Sequence, residues 1–160
     1  MAEDNDDEFV LLRCAFESSG FSYRLIGVAN GAEALDYLYA QAGYSNRVAY
    51  PFPDLTLLDL HMPVLNGFEV LEAVGKKFEF ESLPLVVLTS DDDEFAKWRA
   101  RKLGAKDYIL KPLTMAERID MVRGLHLRWL ADRKKPASEG TAFNAWGVRL
   151  PGRKPKGKTD

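Results

Sequence analysis

Three apolar runs, each closed by a side chain capable of chemistry, constrain this chain more than any other feature. Residues 54–59 (DLTLLD) end in Asp59, residues 83–89 (LPLVVLT) end in Thr89, and residues 107–110 (DYIL) lead into Lys111-Pro112. Short apolar runs with polar ends predict strands buried on both faces, as in a parallel sheet. Helical patterns separate them. Residues 67–78 place Phe68, Leu71, Val74 and Phe78 on one stripe. Asp91-Asp92-Asp93 offer N-cap carboxylates to a helix over 93–103, which Gly104 closes. Thr114 and Glu117 have capping-box spacing, and the helix they open turns Met115, Ile119, Val122, Leu125 and Trp129 inward.

Upstream, residues 9–19 read as a helix with Phe9, Leu12 and Phe16 on one face, ended by Gly20. A short strand (23–28, YRLIGV), the punctuation Asn30-Gly31, a helix over 32–42 with Leu35 and Leu38 inward, and a loop over 43–53 follow. Helices and strands alternating at this length predict an α/β domain with a parallel sheet covered on both faces.

Composition narrows the class. The 160 residues are 46% hydrophobic and 29% charged, as in an ordinary globular domain. No apolar run approaches the ~20 residues that cross a bilayer, so no membrane partner is expected. The acidic start does not read as a secretory leader. Cys14 stands alone, which excludes an internal disulfide and suits a reducing cytoplasm, the expected location. From Asp132 onward eight Lys/Arg face three acids, so the net charge of −2 divides into +5 there and −7 in the rest. An acidic body is a poor nucleic-acid surface, and no helix-turn-helix pattern follows residue 131; no DNA partner is expected. Residues 1–133 are expected to form one domain. Residues 134–160 read as a basic, Gly/Pro-rich tail, mostly disordered, with residues 143–150 apolar enough to serve as a dimerisation arm.

In open parallel sheets, ligands meet the carboxyl ends of the strands. Asp59, Thr89 and Lys111 all fall there, and Glu3-Asp4 lie just ahead of the first helix. This set suits phosphoryl transfer to a carboxylate. An aspartate serves as nucleophile, clustered carboxylates hold Mg²⁺, a lysine ammonium pairs with phosphoryl oxygens, and a threonine hydroxyl donates a hydrogen bond to the same group.

Glu3-Asp4, Asp59, Met62-Pro63, Gly67, Thr89, Gly104-Ala105 and Lys111-Pro112 stand in the order and approximate spacing of response-regulator receiver domains. The chain resembles that family from residue 3 to about 131. The resemblance implies a flavodoxin-like doubly wound sheet of order 2-1-3-4-5. It implies Asp59 as the phosphoacceptor and a histidine kinase as the donor. Glu3 and Asp4 become the acid pair for Mg²⁺, with Asp4 the direct ligand and the backbone carbonyl of His61 a further one. Thr89 becomes the switch hydroxyl, Lys111 the phosphate-pairing lysine, and Tyr108 the aromatic whose rotamer reports activation. A cis Lys111–Pro112 bond is also implied. More narrowly, the loop over 44–53 and residues 125–130 (LHLRWL) resemble single-domain regulators paired with bacterial phytochrome kinases, which are often dimers.

One departure stands out. The family's first strand precedes the acid pair, whereas only Met1 and Ala2 precede Glu3 here. In the order 2-1-3-4-5 that strand lies inside the sheet. Unpaired backbone groups in such a slot cost roughly 1–3 kcal/mol each, against a total stability of ~5–15 kcal/mol. The first strand is therefore expected to be truncated, and the natural chain to begin roughly five to eight residues upstream, the length of an ordinary strand. The alternative is that a partner's tail or this chain's own residues 142–150 fill the slot. With nothing there, Glu3 and Asp4 would lack an anchor for metal binding.

Other residues carry smaller expectations. Asp6, Asp7 and Glu8 read as helix N-terminal charges. Asp91 and His61 are candidates to tune the acyl-phosphate lifetime. Trp98 fits either a core or an interface. Two rival readings remain: a pseudo-receiver that binds partners without being phosphorylated, and an aspartate-nucleophile phosphatase of the haloacid dehalogenase type. The latter needs a second aspartate two residues after the nucleophile, where this chain has His61.

Overall fold

Leu57 and Leu58 point to opposite faces of one strand, and that alternation divides the molecule into two apolar layers. The computed structural model describes residues 1–131; the expectations for residues 134–160 lie outside the described residues. Strands β1 (Thr56–Leu58), β2 (Leu85–Thr89) and β3 (Asp107–Leu110) pair in parallel in that order. Leu57, Val86 and Leu88 pack on Leu12 and Phe16 of α1 (Asp6–Ser18) and on Val122 and Leu125 of α5 (Met115–Leu125). Leu58, Leu85 and Val87 face the other way. They pack against α2 (Gly31–Leu38), α3 (Gly67–Val74) and α4 (Glu94–Lys102). Both faces of β1 and β2 are buried, as their near-continuous apolar sequence requires. Each fully buried aliphatic side chain stabilises the fold by roughly 1.5–3 kcal/mol.

The first strand survives in reduced form. Ala2 bridges Val28 on one side and Leu58 on the other, both in parallel. Its amide donates to Leu57 O at 2.9 Å and its carbonyl accepts from the Asp59 amide at 3.1 Å, while Val28 N–H donates to Met1 O and Glu3 N–H to Val28 O. Among the described residues the sheet has three parallel strands in the order β1-β2-β3, with the isolated bridges of this stub at its β1 edge, so the expected five strands of order 2-1-3-4-5 do not all form. The expectation that Glu3 would lack an anchor is corrected, because sheet hydrogen bonds hold Ala2 and Glu3 on both sides. Residues 23–28 form no strand beyond the bridge at Val28, since only the stub lies beside them.

The caps explain most boundaries. Asn5 accepts from the Asp7 and Glu8 amides, so α1 begins at Asp6, three residues before the expected start. Asn30, Asp93 and the two capping boxes, Asn66/Glu69 and Thr114/Glu117, open the other helices. Such caps contribute about 1 kcal/mol each. Several expectations need correction. α2 stops at Leu38 and α3 at Val74, which leaves Phe78 89% exposed rather than on the α3 stripe. β3 is only half-buried because it is the sheet's edge. Met115 faces solvent in the first turn of α5. The Lys111–Pro112 bond is trans, the form that even proline favours. Lys111 N–H donates to Thr89 O at 2.8 Å in this arrangement.

Two glycines are required by close approach or by backbone. A Cβ on Gly67 would lie 2.2 Å from the Asp59 carbonyl oxygen, so only glycine lets α3 start directly behind the β1 tip. Gly104 has φ +108° at the end of α4, a conformation L side chains avoid.

Candidate functional site

The carboxyl ends of the strands bring the sequence-predicted residues together. Asp59 follows β1 and is buried, with its Oδ1 accepting the Leu60 amide at 2.6 Å. Lys111 follows β3 and reaches across the β2 tip, where Nζ donates to Asp59 Oδ2 at 2.8 Å. The same Nζ lies 2.8 Å from Glu3 Oε2, so the ammonium pairs with both carboxylates. Thr89, fully buried, ends β2 between them, and its Oγ1 accepts the Asp91 amide at 3.3 Å. One oxygen each from Glu3, Asp4 and Asp59 lies within 4.8 Å of the others. Glu3 and Asp59 are buried, whereas Asp4 opens to solvent.

The electrostatics follow from this packing. Burial pushes the Glu3 carboxyl above its ordinary value, Lys111 pulls it back and Asp59 adds repulsion. Burial works to lower the Lys111 ammonium, but the hydrogen bonds and charges of Asp59 and Glu3 outweigh it and the net shift is upward. A lysine held between two carboxylates stays charged. With Lys111 counted, the cluster of three acids carries net −2, which matches a divalent cation.

Two further residues complete the rim. His61 is exposed, and its Nε2 lies 3.4 Å from Asp91 Oδ2, so side chains that follow β1 and β2 meet. The Tyr108 hydroxyl donates to the Asp91 carbonyl at 2.7 Å, and burial pushes its phenol up to about 12. The sequence singled out His61, Asp91 and Tyr108 separately. Their junction was not legible there, because it depends on how the loop after β2 folds back. Trp98, left open between core and interface, lies on the outer side of α4, 54% exposed and stacked on Phe95 at 5.6 Å. His126 stacks on Phe21 at 3.7 Å, away from the site.

Fold and site define an α/β module with a buried carboxylate, a hydroxyl and an ammonium gathered at one edge of a parallel sheet. The response regulator receiver domain pattern matches residues 1–123, and the chain belongs to that family, whose members are phosphoacceptor signalling modules of two-component systems rather than classical enzymes. Response regulator Rcp1 of Synechocystis is 29% identical over 138 residues, covering 86% of this chain and 92% of Rcp1. Its Mn²⁺-bound crystal structure superposes with a TM-score of 0.72 over 85% of this chain and 96% of that one. The phosphorylated cyanobacterial phytochrome response regulator RcpA is also 29% identical, with a TM-score of 0.73 over 85% and 95% of the two chains. RPA3017, from red-light signalling in R. palustris, is 28% identical, with a TM-score of 0.77 over 86% and 96%. Among the described residues no helix is long and apolar enough to cross a membrane.

Proposed function

We propose that this chain is the phosphorylation switch of a two-component relay, in which Asp59 takes a phosphoryl group from the phosphohistidine of a sensor kinase. The observation that carries the reading is the Lys111 ammonium, 2.8 Å from the Asp59 carboxylate at the sheet edge. In the step, a carboxylate oxygen of Asp59 forms a bond to phosphorus as the phosphorus–nitrogen bond to histidine breaks, and the imidazole takes up a proton. Lys111 pairs with the transferred group, and Thr89 donates its hydroxyl to it. Hydrolysis of the acyl phosphate returns Asp59 to its resting form, so the protein catalyses only its own phosphorylation and dephosphorylation.

The residues present fit a divalent metal. Mg²⁺ prefers one or two carboxylates plus water and phosphate oxygens, and an exposed acid beside two buried ones meets that need. Asp4 would be the direct protein ligand, with Asp59 and the His61 backbone carbonyl, and Glu3 supporting. When bound, the ion offsets the repulsion between an anionic nucleophile and an anionic donor.

The added charge of up to about two units draws Thr89 and Lys111 inward. Tyr108, tethered to the Asp91 carbonyl, couples that movement to the loop opening α4. The exposed Phe95–Trp98 stack on α4 then supplies the output surface for a protein partner. The red-light and phytochrome regulators it resembles favour a bacteriophytochrome-type kinase as donor, acting in the cytoplasm. A homodimer exchanging residues 143–150 is part of the same reading. Sedimentation of a chain ending at Arg133 tests it, and unchanged dimerisation removes the tail's role.

The central test is incubation with acetyl phosphate and Mg²⁺, followed by intact mass. A gain of one phosphoryl group is expected, absent in Asp59→Asn and absent after chelation. No gain, together with no response to beryllofluoride, would instead establish the pseudo-receiver.

A further inference from the structure

Six cations of the described residues, Arg13, Lys97, Lys111, Arg118, Arg123 and Arg128, each meet a carboxylate. Five others, Lys76, Lys77, Arg101, Lys102 and Lys106, are exposed and pair with no carboxylate among the described residues. The fold gathers these five. α3 and α4 both run back from the carboxyl edge of the sheet and end side by side, where a Cβ on Gly104 would lie 2.2 Å from the Gly75 carbonyl oxygen. Lys76 and Lys77 follow that end of α3, and Arg101 and Lys102 close α4. Lys106 enters the amino end of the sheet, its amide donating to Leu85 O at 2.8 Å. Lys76, Lys77, Phe78, Glu81 and Lys106 border one open hollow of about 380 Å³.

The result is a basic pole on a body whose net charge up to residue 131 is −7. Glu79 and Glu81, in the same turn, offset at most two of its charges. Lys77 donates to the Tyr39 hydroxyl at 2.7 Å and Lys102 lies 5.9 Å from the centre of the Trp98 ring, but neither contact cancels a charge. A helix end accounts for Arg101 and Lys102, since cations there oppose the macrodipole. It does not account for Lys76, Lys77 and Lys106, which lie outside the α-helices.

Two observations say what covers the pole. Lys76, Arg101 and Lys106 make no side-chain hydrogen bond or ring contact among the described residues. Nothing fixes them in an array that would match one folded acidic partner, and free ammonium groups suit a layer of equally mobile phosphates. Phe78, 89% exposed, stands beside the lysines, and an aromatic ring among cations is the pattern of peripheral membrane contact. Trp98 is already stacked on Phe95, so the pole offers no platform of free rings for successive nucleic-acid bases. The absence of a spanning run does not bear on such a contact, which needs none.

We propose that this pole, with Phe78 among its lysines, is a peripheral docking surface for anionic lipid headgroups. The five residues of β2 span about 16 Å between the pole and the phosphorylation edge. That is twice the screening length of about 8 Å at physiological salt, so the acids around Asp59 do not cancel the attraction. Docking by the pole leaves Asp59 facing away from the lipid. The inference does not depend on the phosphorylation reading, and labelling of Asp59 by acetyl phosphate is measured separately.

Co-sedimentation of the full chain with vesicles of phosphatidylcholine and phosphatidylglycerol tests it, with pure phosphatidylcholine as the control. Binding is expected only to the anionic vesicles, and it should weaken as salt rises. Lys76→Gln/Lys77→Gln/Lys106→Gln should lose at least about tenfold in affinity, at unchanged Tm because these side chains are exposed. Phe78→Ser should lose roughly threefold with no change in charge. Residues from Asp132 onward are themselves basic, so Arg153→Gln/Lys154→Gln/Lys156→Gln/Lys158→Gln is the comparison. Wild-type affinity in the pole variant, with the loss confined to this second variant, overturns the proposal. So does equal binding to pure phosphatidylcholine, or tighter binding to duplex DNA or polyglutamate than to anionic vesicles.

Discussion

Lys111 Nζ donates a 2.8 Å hydrogen bond to Asp59 Oδ2 across the carboxyl edge of the sheet, although 52 residues separate them in the chain. The same ammonium faces Glu3, so two buried carboxylates share one cation. Removing the cation strands both acids, whereas removing one acid leaves a matched pair. Lys111→Met is therefore expected to destabilise the protein by roughly 3 kcal/mol at neutral pH, the ordinary cost of breaking a buried pair from one side. Asp59→Asn should stay within about 1 kcal/mol of wild type or exceed it, since repulsion between Asp59 and Glu3 is relieved. Urea denaturation of both variants checks this, and the reverse ranking would show that the ammonium is not the keystone.

The sign of the pH dependence follows. The folded-state pKa of Lys111 is raised above 10.5, because Asp59 and Glu3 outweigh burial. A raised base contributes stability that is fully present below the unfolded value and is lost as pH rises through the folded one. The stability gap between wild type and Lys111→Met should hold steady up to about pH 10 and narrow above it. A gap that narrows first between pH 6 and 8 would point to a different group.

Tyr108 connects the site to α4 through a single hydrogen bond to the Asp91 carbonyl. Tyr108→Phe removes that bond and little else, at a cost of about 1 kcal/mol. Phosphorylation from acetyl phosphate should be retained. The response of Trp98 fluorescence to beryllofluoride should shrink, with Trp98→Phe as the assignment control. An undiminished response would mean that α4 senses the site by another route.

His61 and Asp91 pair at 3.4 Å beside the tips of β1 and β2. His61→Ala should shorten the acyl-phosphate half-life by roughly threefold, equivalent to about 0.6 kcal/mol of barrier. Decay of the phosphorylated species by intact mass measures it. A lengthened half-life would show that the imidazole promotes hydrolysis rather than shielding the bond.

The core strands and the site were legible because both are local in sequence. A buried strand declares itself by an apolar run, and Asp59, Thr89 and Lys111 each sit at the end of one. Capping boxes have fixed spacing, and the one at Asn66/Glu69 lies just behind the more obvious Met62-Pro63 turn. Helix ends at Leu38 and Val74 were misplaced because apolar residues continue past them. Phe78 has the right period for the α3 stripe, but the chain leaves the helix at Gly75, where a Cβ would meet the Leu103 carbonyl. The stub is the clearest limit. Its two sheet neighbours lie 26 and 56 residues away, and nothing local says that three residues suffice to pair with both.

Gly67 offers a test of how the fold aims the acceptor. It is the first residue of α3, a position most side chains tolerate, and its φ is not in the left-handed region. What forbids a side chain is the Asp59 carbonyl oxygen, 2.2 Å from where a Cβ would lie, with the Leu60 Cα at 2.9 Å. Both neighbours are backbone at the β1 tip and cannot rotate away, so the strand end or the whole helix must shift. Gly67→Ala is expected to cost about 3 kcal/mol, the upper range for overpacking a well-packed site. It should also slow phosphorylation of Asp59 by acetyl phosphate more than its stability loss explains, because the displaced atoms belong to the acceptor itself. Gly43→Ala, where nothing lies within 4 Å of an added Cβ, should change neither property. Chemical denaturation and single-turnover phosphorylation at a temperature where both variants are folded separate the two effects. Wild-type rates in folded Gly67→Ala would show that the β1 tip yields without moving the carboxylate.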